Sequence, residues 1–214
     1  MKINIHTHSV SSSDKRTDTI EIVNHIINSS SIEYQGKYVS LGIHPWYIHN
    51  PDEQLEVLEK ALASDVNIIA IGEAGLDKLK GNVMKVQHDV FEKQALLAEQ
   101  YSKPFIIHCV KAFDELLAFK KRIRPSVPWI IHGFRGNHIQ AQQLVRNGML
   151  LSFGPQFNCQ ALNTVSNGIF FLETDDYNTT IDDVYHSAAL AMDISVEDLE
   201  FRIEDNFRSM NSFN

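Results

Sequence analysis

The sequence contains little of what marks several special classes of protein. Only two of its 214 residues are cysteine, Cys109 and Cys159, which is too few for a disulfide framework and favours a reducing compartment. No apolar run approaches the roughly 20 residues of a transmembrane helix, and no apolar signal segment stands at the start. No G-x-G-x-x-G follows a predicted strand, which weakens a dinucleotide-binding assignment. These features predict a cytoplasmic protein with no membrane partner.

Positive charge is also scarce. The chain carries 19 Lys and Arg against 27 Asp and Glu, a formal net charge of −8. Proteins that coat nucleic acid need a basic surface to neutralise many phosphates. The acidic balance therefore argues against broad coating of nucleic acid and leaves room for a small, locally positive site that receives short or single-stranded ends or a small phosphodiester.

Short apolar runs alternate with amphipathic segments along the whole chain, which predicts an α/β fold with parallel strands. Predicted strands are 2–8, 37–44, 66–75, 103–109, 127–134, 149–154 and 168–175. Predicted helices are 18–28, 52–63, 83–103, 112–124, 138–148, 180–193 and 195–207. An open doubly wound sheet and a closed barrel both fit this alternation. At about 31 residues per βα unit, the length fits seven units of a barrel better than eight.

Predicted strands end in side chains that commonly bind metals. These are His6, His8, His44, Glu73, His108, His132, Glu173 and Asp175. In a barrel the carboxyl ends of all strands open onto one rim, so side chains far apart in sequence would converge there. Two histidines at i and i+2 of a strand share a face, with Cα atoms about 6–7 Å apart, close enough to hold one ion. The pattern predicts a metal site.

Several segments carry a resemblance to a known family. They are HTH (6–8), GIHPW (42–46), IGEAGLD (71–77), residues 87–108, HGFRG (132–136), LETD (172–175) and EDNFRSM (204–210). In this order they resemble the TatD-type metal-dependent hydrolases, a branch of the amidohydrolase-like barrels, over nearly the whole chain. The resemblance implies a single TIM-like (β/α) barrel domain spanning residues 1–214 and a phosphodiesterase or deoxyribonuclease activity.

The resemblance also implies a centre of two divalent ions, Zn²⁺, Mn²⁺ or Mg²⁺, since mixed imidazole and carboxylate ligands suit these metals. By position, the ligands of one ion would be His6, His8 and Asp175, those of the second His108 and His132, and Glu73 would bridge both. Two such ions activate a water for hydrolysis.

Further roles follow from the same resemblance. Asp175 would take the proton of the attacking water, and Glu73 would serve the reaction as the bridging carboxylate. His44 would face the substrate, contacting a phosphate or the leaving group. Glu173 would either hydrogen-bond a ligand histidine or form a buried ion pair.

The sequence departs from the family pattern at several places. The family usually has a further strand–helix unit before GIHP, whereas SIEYQ (31–35) is short and polar. We therefore expect one βα unit to be lost or degenerate near residues 29–36, leaving a seam that neighbouring strands or a partner subunit would cover. Arg135 stands where a serine is usual and Lys111 where an aspartate is usual. With Lys78 and Lys80, they either receive a substrate phosphate or are solvated loop charges.

Other functions stay open at this point. The same metal chemistry serves hydrolysis of an aminoacyl ester, amide or lactone. A phosphoesterase of the polymerase-and-histidinol-phosphatase type shares the opening HxH but fits GIHPW and IGEAGLD poorly. A non-catalytic scaffold is disfavoured because every expected ligand is present. A cysteine nucleophile at Cys109 is disfavoured because the adjacent His108 would point to the opposite face of its strand.

Overall fold

The computed structural model describes residues 1–9, 19–28 and 36–211, which contain eight strands and seven helices. The strands are β1 Lys2–Thr7, β2 Thr19–Ile26, β3 Tyr38–Gly42, β4 Ile68–Asp77, β5 Phe105–Val110, β6 Trp129–Ile131, β7 Leu150–Phe153 and β8 Phe170–Leu172. The helices are α1 Pro51–Ser64, α2 Met84–Gln100, α3 Phe113–Ile123, α4 His138–Arg146, α5 Cys159–Val165, α6 Ile181–Met192 and α7 Val196–Asn211. The strand order follows the chain order from β1 to β8. None of the helices in the described ranges is both long and apolar enough to cross a membrane.

The structure corrects the prediction for residues 18–28. Thr19–Ile26 is a strand, β2, and not a helix, so the sheet has eight strands and not the seven expected. Its apolar residues fit a helical period, but the segment is rich in β-branched side chains, which pack well in a sheet. Parallel pairing with β1, for example Ile3 opposite Ile20, fixes it as a strand. Except for Gly36, the place where we expected a degenerate unit, 29–36, lies outside the described residues.

Helix α5 was not predicted. It is only 7 residues long, too short for an apolar period to be distinguished. Its start is fixed by Asn158, whose side-chain oxygen accepts a hydrogen bond from the backbone N–H of Ala161 at 3.1 Å.

The chain divides into two compact units, of which the first comprises residues 1–23 and 131–214. Its strand β7 pairs in parallel with β8, and β8 is followed by a bridge from Asp175 to Thr7 at the end of β1. The hydroxyl of Tyr185 on α6 accepts from the backbone N–H of Ile3 at 2.9 Å and donates to its carbonyl at 3.1 Å. Helix α6 is thus tied to the first strand.

The second unit comprises residues 24–130. Parallel pairing of β3 with β4 and of β4 with β5 sets His108 opposite Gly75. A Cβ atom at Gly75 would lie 1.9 Å from the carbonyl oxygen of His108, so only glycine allows these strands to approach. Beneath them, α2 contributes Phe91 to an aromatic core with Phe105 and Trp129, whose ring centroids lie 5.3 and 5.5 Å from that of Phe91.

Candidate metal centre

In the first unit, two histidines from the end of β1 meet an aspartate that follows β8. Nε2 of His6 lies 3.6 Å and Nε2 of His8 3.4 Å from Oδ1 of Asp175. The backbone N–H of Asp175 donates to the carbonyl of His6 at 3.1 Å, which holds the two segments together. Potential ligand atoms of the three residues all lie within 4.8 Å of one another. This geometry can hold one divalent ion.

The electrostatics of this first group keep Asp175 ionised. Burial by itself would raise the pKa of the Asp175 carboxyl, but hydrogen bonds from His6 and His8 and the charge of His132 hold that pKa far below its usual range. Asp175 has a φ of 54°, in the left-handed region that aspartate tolerates better than most residues. A charged carboxylate in this position can serve as a ligand of a divalent cation.

A second set of donors in the first unit shares Asp175. His132, Glu173 and Asp175 offer ligand atoms within 4.8 Å of one another. Oε1 of the fully buried Glu173 accepts from the backbone N–H of Gly133 at 2.7 Å and lies 3.3 Å from Nδ1 of His132. Because Glu173 is fixed by a backbone donor, it also fixes the orientation of the His132 ring.

The second unit holds a separate donor group built from His44 after β3, Glu73 on β4 and His108 on β5. Oε1 of Glu73 lies 3.1 Å from Nε2 of His44 and 2.7 Å from Nδ1 of His108. All three residues are buried, and their ligand atoms lie within 4.8 Å of one another. A buried carboxylate between two imidazoles offers the ligand types that bind a divalent cation such as Zn²⁺.

Asp77 supports this second group, and sequence reasoning assigned it no role. Its Oδ2 lies 3.2 Å from Nε2 of His108 and accepts from the indole N–H of Trp46 at 2.7 Å. Its Oδ1 accepts from the backbone N–H of Leu79 at 2.7 Å. Burial would raise the pKa of Asp77, but the hydrogen bonds from Trp46 and Leu79 lower it on balance. The available signal was that the segment IGEAGLD ends in a second carboxylate, four residues after Glu73.

Buried glutamines hold the loops that carry this group, and these too were missed. Gln94 on α2 accepts from the N–H of Ile43 at 2.7 Å and donates to its carbonyl at 3.0 Å, next to His44. Gln87 accepts from the N–H of Asp77 at 2.7 Å and donates to the carbonyls of Asp77 and Asn82 at 2.9 and 2.6 Å. The two glutamines are seven residues apart, which puts both on the buried face of α2, and that spacing was the visible signal.

Of the three residues predicted to contact substrate, Arg135 and Lys111 are exposed, whereas His44 is buried. Nη1 of Arg135 donates to Oε1 of Gln156 and to the hydroxyl of Tyr177, both at 3.1 Å, so this exposed guanidinium is held in one direction. Lys111 is exposed after β5, with a φ of 57°. Nδ1 of His44 accepts from the backbone N–H of Trp46 at 3.1 Å, while its other nitrogen faces Glu73. His44 therefore stands among the candidate ligands.

Cys109 is unsuited to nucleophilic chemistry. Burial raises the pKa of its thiol to about 12, so the reactive thiolate is scarce near neutral pH.

Both donor groups fit a divalent cation. Each combines imidazole nitrogens with carboxylate oxygens inside a few ångströms, which suits Zn²⁺ or Mn²⁺, and the carboxylates also admit Mg²⁺. An α/β fold with such donors at the carboxyl ends of its strands defines the class of metal-binding barrel proteins.

Comparison with known proteins identifies the family within that class. The model of the family "TatD related DNase" matches residues 4–210, so the chain belongs to this family. A metal-dependent hydrolase of uncharacterised function from Haemophilus influenzae is 34% identical over 142 residues, which are 63% of this chain and 54% of that protein. A protein of Cronobacter sakazakii named 3'-5' ssDNA/RNA exonuclease TatD is 28% identical over 120 residues, 55% of this chain and 46% of that protein. The chain thus spans about half the length of the curated relatives it matches.

Solved structures confirm the predicted fold class, a TIM-like (β/α) barrel. The crystal structure of YJJV, a TatD homologue from Escherichia coli, matches with a TM-score of 0.73 and 23% identity over 89% of this chain and 85% of that one. A TatD-family hydrolase structure from Entamoeba histolytica gives a TM-score of 0.73 and 16% identity over 98% and 97% of the two chains. The family resemblance noted from the sequence is confirmed by the match of the family model.

Proposed function

We propose that this protein is a divalent-metal-dependent phosphodiesterase that cleaves single-stranded nucleic acid at or near its ends. The observation that carries the proposal is the pair of donor groups, His6–His8–Asp175 and His44–Glu73–His108, each with ligand atoms within 4.8 Å of one another. Family membership and the name of the relative in Cronobacter sakazakii support a nucleic-acid substrate. The net charge of −8 favours short contacts at strand ends over tracking along a duplex.

Divalent ions bound at these groups would supply Lewis-acid charge and a water of lowered pKa. The residues of the chain account for the rest of the chemistry. Asp175, which lies beside both histidines of its donor group, takes the proton of the attacking water. Glu173 holds the His132 ring in place, and Asp77 does the same for His108. The bridging role that the family resemblance implies for Glu73 stays a prediction.

A phosphate of the substrate needs a cation beside the donors. Arg135 follows His132 by three residues, and its guanidinium is held by Gln156 and Tyr177, which leaves its remaining N–H groups for a phosphate. We include the exposed Lys111, on the loop after His108, as a second contact to the phosphate. Both assignments belong to the proposal.

The test is metal-dependent cleavage by the purified full chain. Protein stripped with a chelator is reloaded with Mg²⁺, Mn²⁺ or Zn²⁺ and assayed on end-labelled single-stranded DNA and on bis(p-nitrophenyl) phosphate. We expect cleavage that needs metal and falls at least roughly a hundredfold in His108→Ala. The exposed His138→Ala on α4 is the matched control and keeps full activity.

Two results would overturn the proposal. One is unchanged cleavage in His108→Ala. The other is inactivity on both phosphodiesters together with metal-dependent turnover of an aminoacyl ester, amide or lactone, which would assign the site to that alternative chemistry.

A further inference from the structure

We propose that the indole ring of Trp46 is a stacking platform for a nucleobase of the substrate, with Lys80 as the cation that accompanies it. The inference rests on the proposed function, because it names single-stranded nucleic acid as the substrate of the same site. It goes beyond it by assigning a base-binding position next to the donor group His44–Glu73–His108.

Trp46 is held rigidly against the donor group. Its indole N–H donates to Oδ2 of Asp77 at 2.7 Å, and its backbone N–H donates to Nδ1 of His44 at 3.1 Å. The ring meets those of His44 and His108 nearly at right angles, with centroids 4.8 and 5.5 Å away. A base stacked on this ring would place its neighbouring phosphate within a nucleotide's length of the candidate metal ligands.

Lys80 lies over the ring of Trp46. Its Nζ is 3.5 Å from the ring centroid, a cation–π contact. The side chain of Lys80 is exposed, so it reaches this ring from the solvent side. The backbone N–H of Lys80 donates to Oδ1 of Asp77 at 3.1 Å. One carboxylate therefore fixes both the ring and the loop that carries the cation.

This combination fits a nucleotide in particular. Proteins that bind single strands without sequence preference combine aromatic faces for the bases with cations for the backbone. An incoming base would replace the ammonium of Lys80 on the ring, and the flexible lysine would then pair with a phosphate. Tyr47, 44% exposed and 5.7 Å from the His44 ring between centroids, extends the aromatic surface.

Trp46 also reports its own occupancy. The chain has two tryptophans, and the other, Trp129, is fully buried in the aromatic core. A titration of the full chain with hexadeoxyadenylate, in Ca²⁺ and again in chelator, should quench the fluorescence of Trp46 to saturation. A matched strand with abasic sites in place of every adenine offers the same phosphates, and we expect it to quench little and to bind roughly tenfold more weakly.

Two variants separate stacking from the hydrogen bond of the indole. Trp46→Phe and Trp46→Leu both lose the N–H that Asp77 accepts, but only leucine loses the aromatic face. Anisotropy of a labelled strand should show affinity within about threefold of wild type for phenylalanine and a loss of roughly tenfold or more for leucine. Circular dichroism checks that both variants fold, and the abasic comparison needs no variant at all.

The outcomes are distinguishable from those of the cleavage assay. Equal losses in the two variants, or equal binding of the abasic strand, would overturn the base platform even if the protein cleaves DNA. Quenching that requires the bases would support it even if no phosphodiester is cleaved, in which case the proposed activity alone fails.

Discussion

Oε1 of Glu73 lies 2.7 Å from Nδ1 of His108, although 35 residues separate the two along the chain. The contact arises because β4 and β5 pair in parallel and bring the carboxyl ends of both strands to one place. On its other side, the His108 ring faces Asp77, the last residue of β4, which begins and ends two residues later than the predicted strand 66–75. The imidazole is thereby held from both nitrogens in a single orientation, which is what a metal ligand or an acid–base group needs.

We predict that Gln87→Ala destabilises the protein by about 3 kcal/mol, since it leaves the buried backbone N–H and carbonyl of Asp77 and the partly buried carbonyl of Asn82 without their partner. Urea unfolding at neutral pH measures this. Gln100→Ala, on the same helix and losing one exposed hydrogen bond of 3.3 Å to Glu59, is the control and should change stability by less than about 0.5 kcal/mol. Equal effects of the two would refute the role of Gln87.

Gly75→Ala should destabilise by about 3 kcal/mol, because its Cβ would overlap the backbone of His108. A Cβ at Gly168 meets its nearest atom, the carbonyl oxygen of Val165, only at 3.5 Å. Gly168→Ala is thus the matched substitution that the fold should tolerate. Thermal unfolding of both variants decides the point, and a stable Gly75→Ala protein would show that the strands are not packed as described.

Glu99 should give a stability that depends on pH. Burial would raise the pKa of Glu99, but hydrogen bonds from the Ser126 hydroxyl and from the N–H groups of Val127 and Ser126 lower it overall. A depressed pKa in the folded state contributes stability above the unfolded pKa of about 4.3, and this is lost as the pH falls through the folded pKa. Glu99→Gln should therefore cost about 1 kcal/mol at pH 7, a modest value because the group is partly solvated.

The difference between wild type and Glu99→Gln should shrink as urea unfolding is repeated at progressively more acidic pH. The control is Glu56→Gln, which replaces an exposed carboxylate 3.7 Å from Lys60. We expect it to change the free energy of unfolding little at any pH. A cost of Glu99→Gln that stays constant into strong acid would contradict the assigned pKa shift.

Arg135→Ala should raise the KM for single-stranded DNA roughly tenfold and leave kcat within about threefold, because a phosphate contact made in the ground state is lost. Arg146→Ala, at the exposed end of α4, is the control for a change of net charge. Steady-state kinetics with both variants makes the comparison. A KM unaltered by Arg135→Ala would refute the phosphate contact, and the guanidinium would then have only its structural hydrogen bonds to Gln156 and Tyr177.

Much of the fold followed from local patterns. The apolar period of α2 and α3 and the charged last turn of α3 are properties of adjacent residues, so they are visible in the sequence. The segment Thr19–Ile26 was misassigned because its apolar spacing fits both periods, and only pairing with β1 decides between them. The helix α5 was missed because its seven residues, about two turns, leave almost no periodic signal.

The residue types of the candidate site were predicted from the sequence, and so was the grouping of His6 and His8 with Asp175, but the contacts that support the site were not. Histidines at strand ends point to a metal site, and the structure groups them as His6 with His8 and as His44 with His108. The residues that support the site could not be predicted from local sequence, because Asp77, Gln87 and Gln94 act through hydrogen bonds to residues distant in sequence. The sequence marked Trp46 only as the last residue of the segment GIHPW. Its position beside the rings of His44 and His108 depends on the pairing of β3, β4 and β5.

Calorimetric titration of Mn²⁺ into the metal-stripped full chain tests the central claim most directly. The account predicts saturable uptake by the wild type and an affinity lowered more than roughly tenfold both in Glu73→Gln and in Asp175→Asn, one carboxylate from each donor group. The surface variant Glu56→Gln should bind as the wild type does. No uptake by the wild type, or uptake unchanged in both variants, would contradict it.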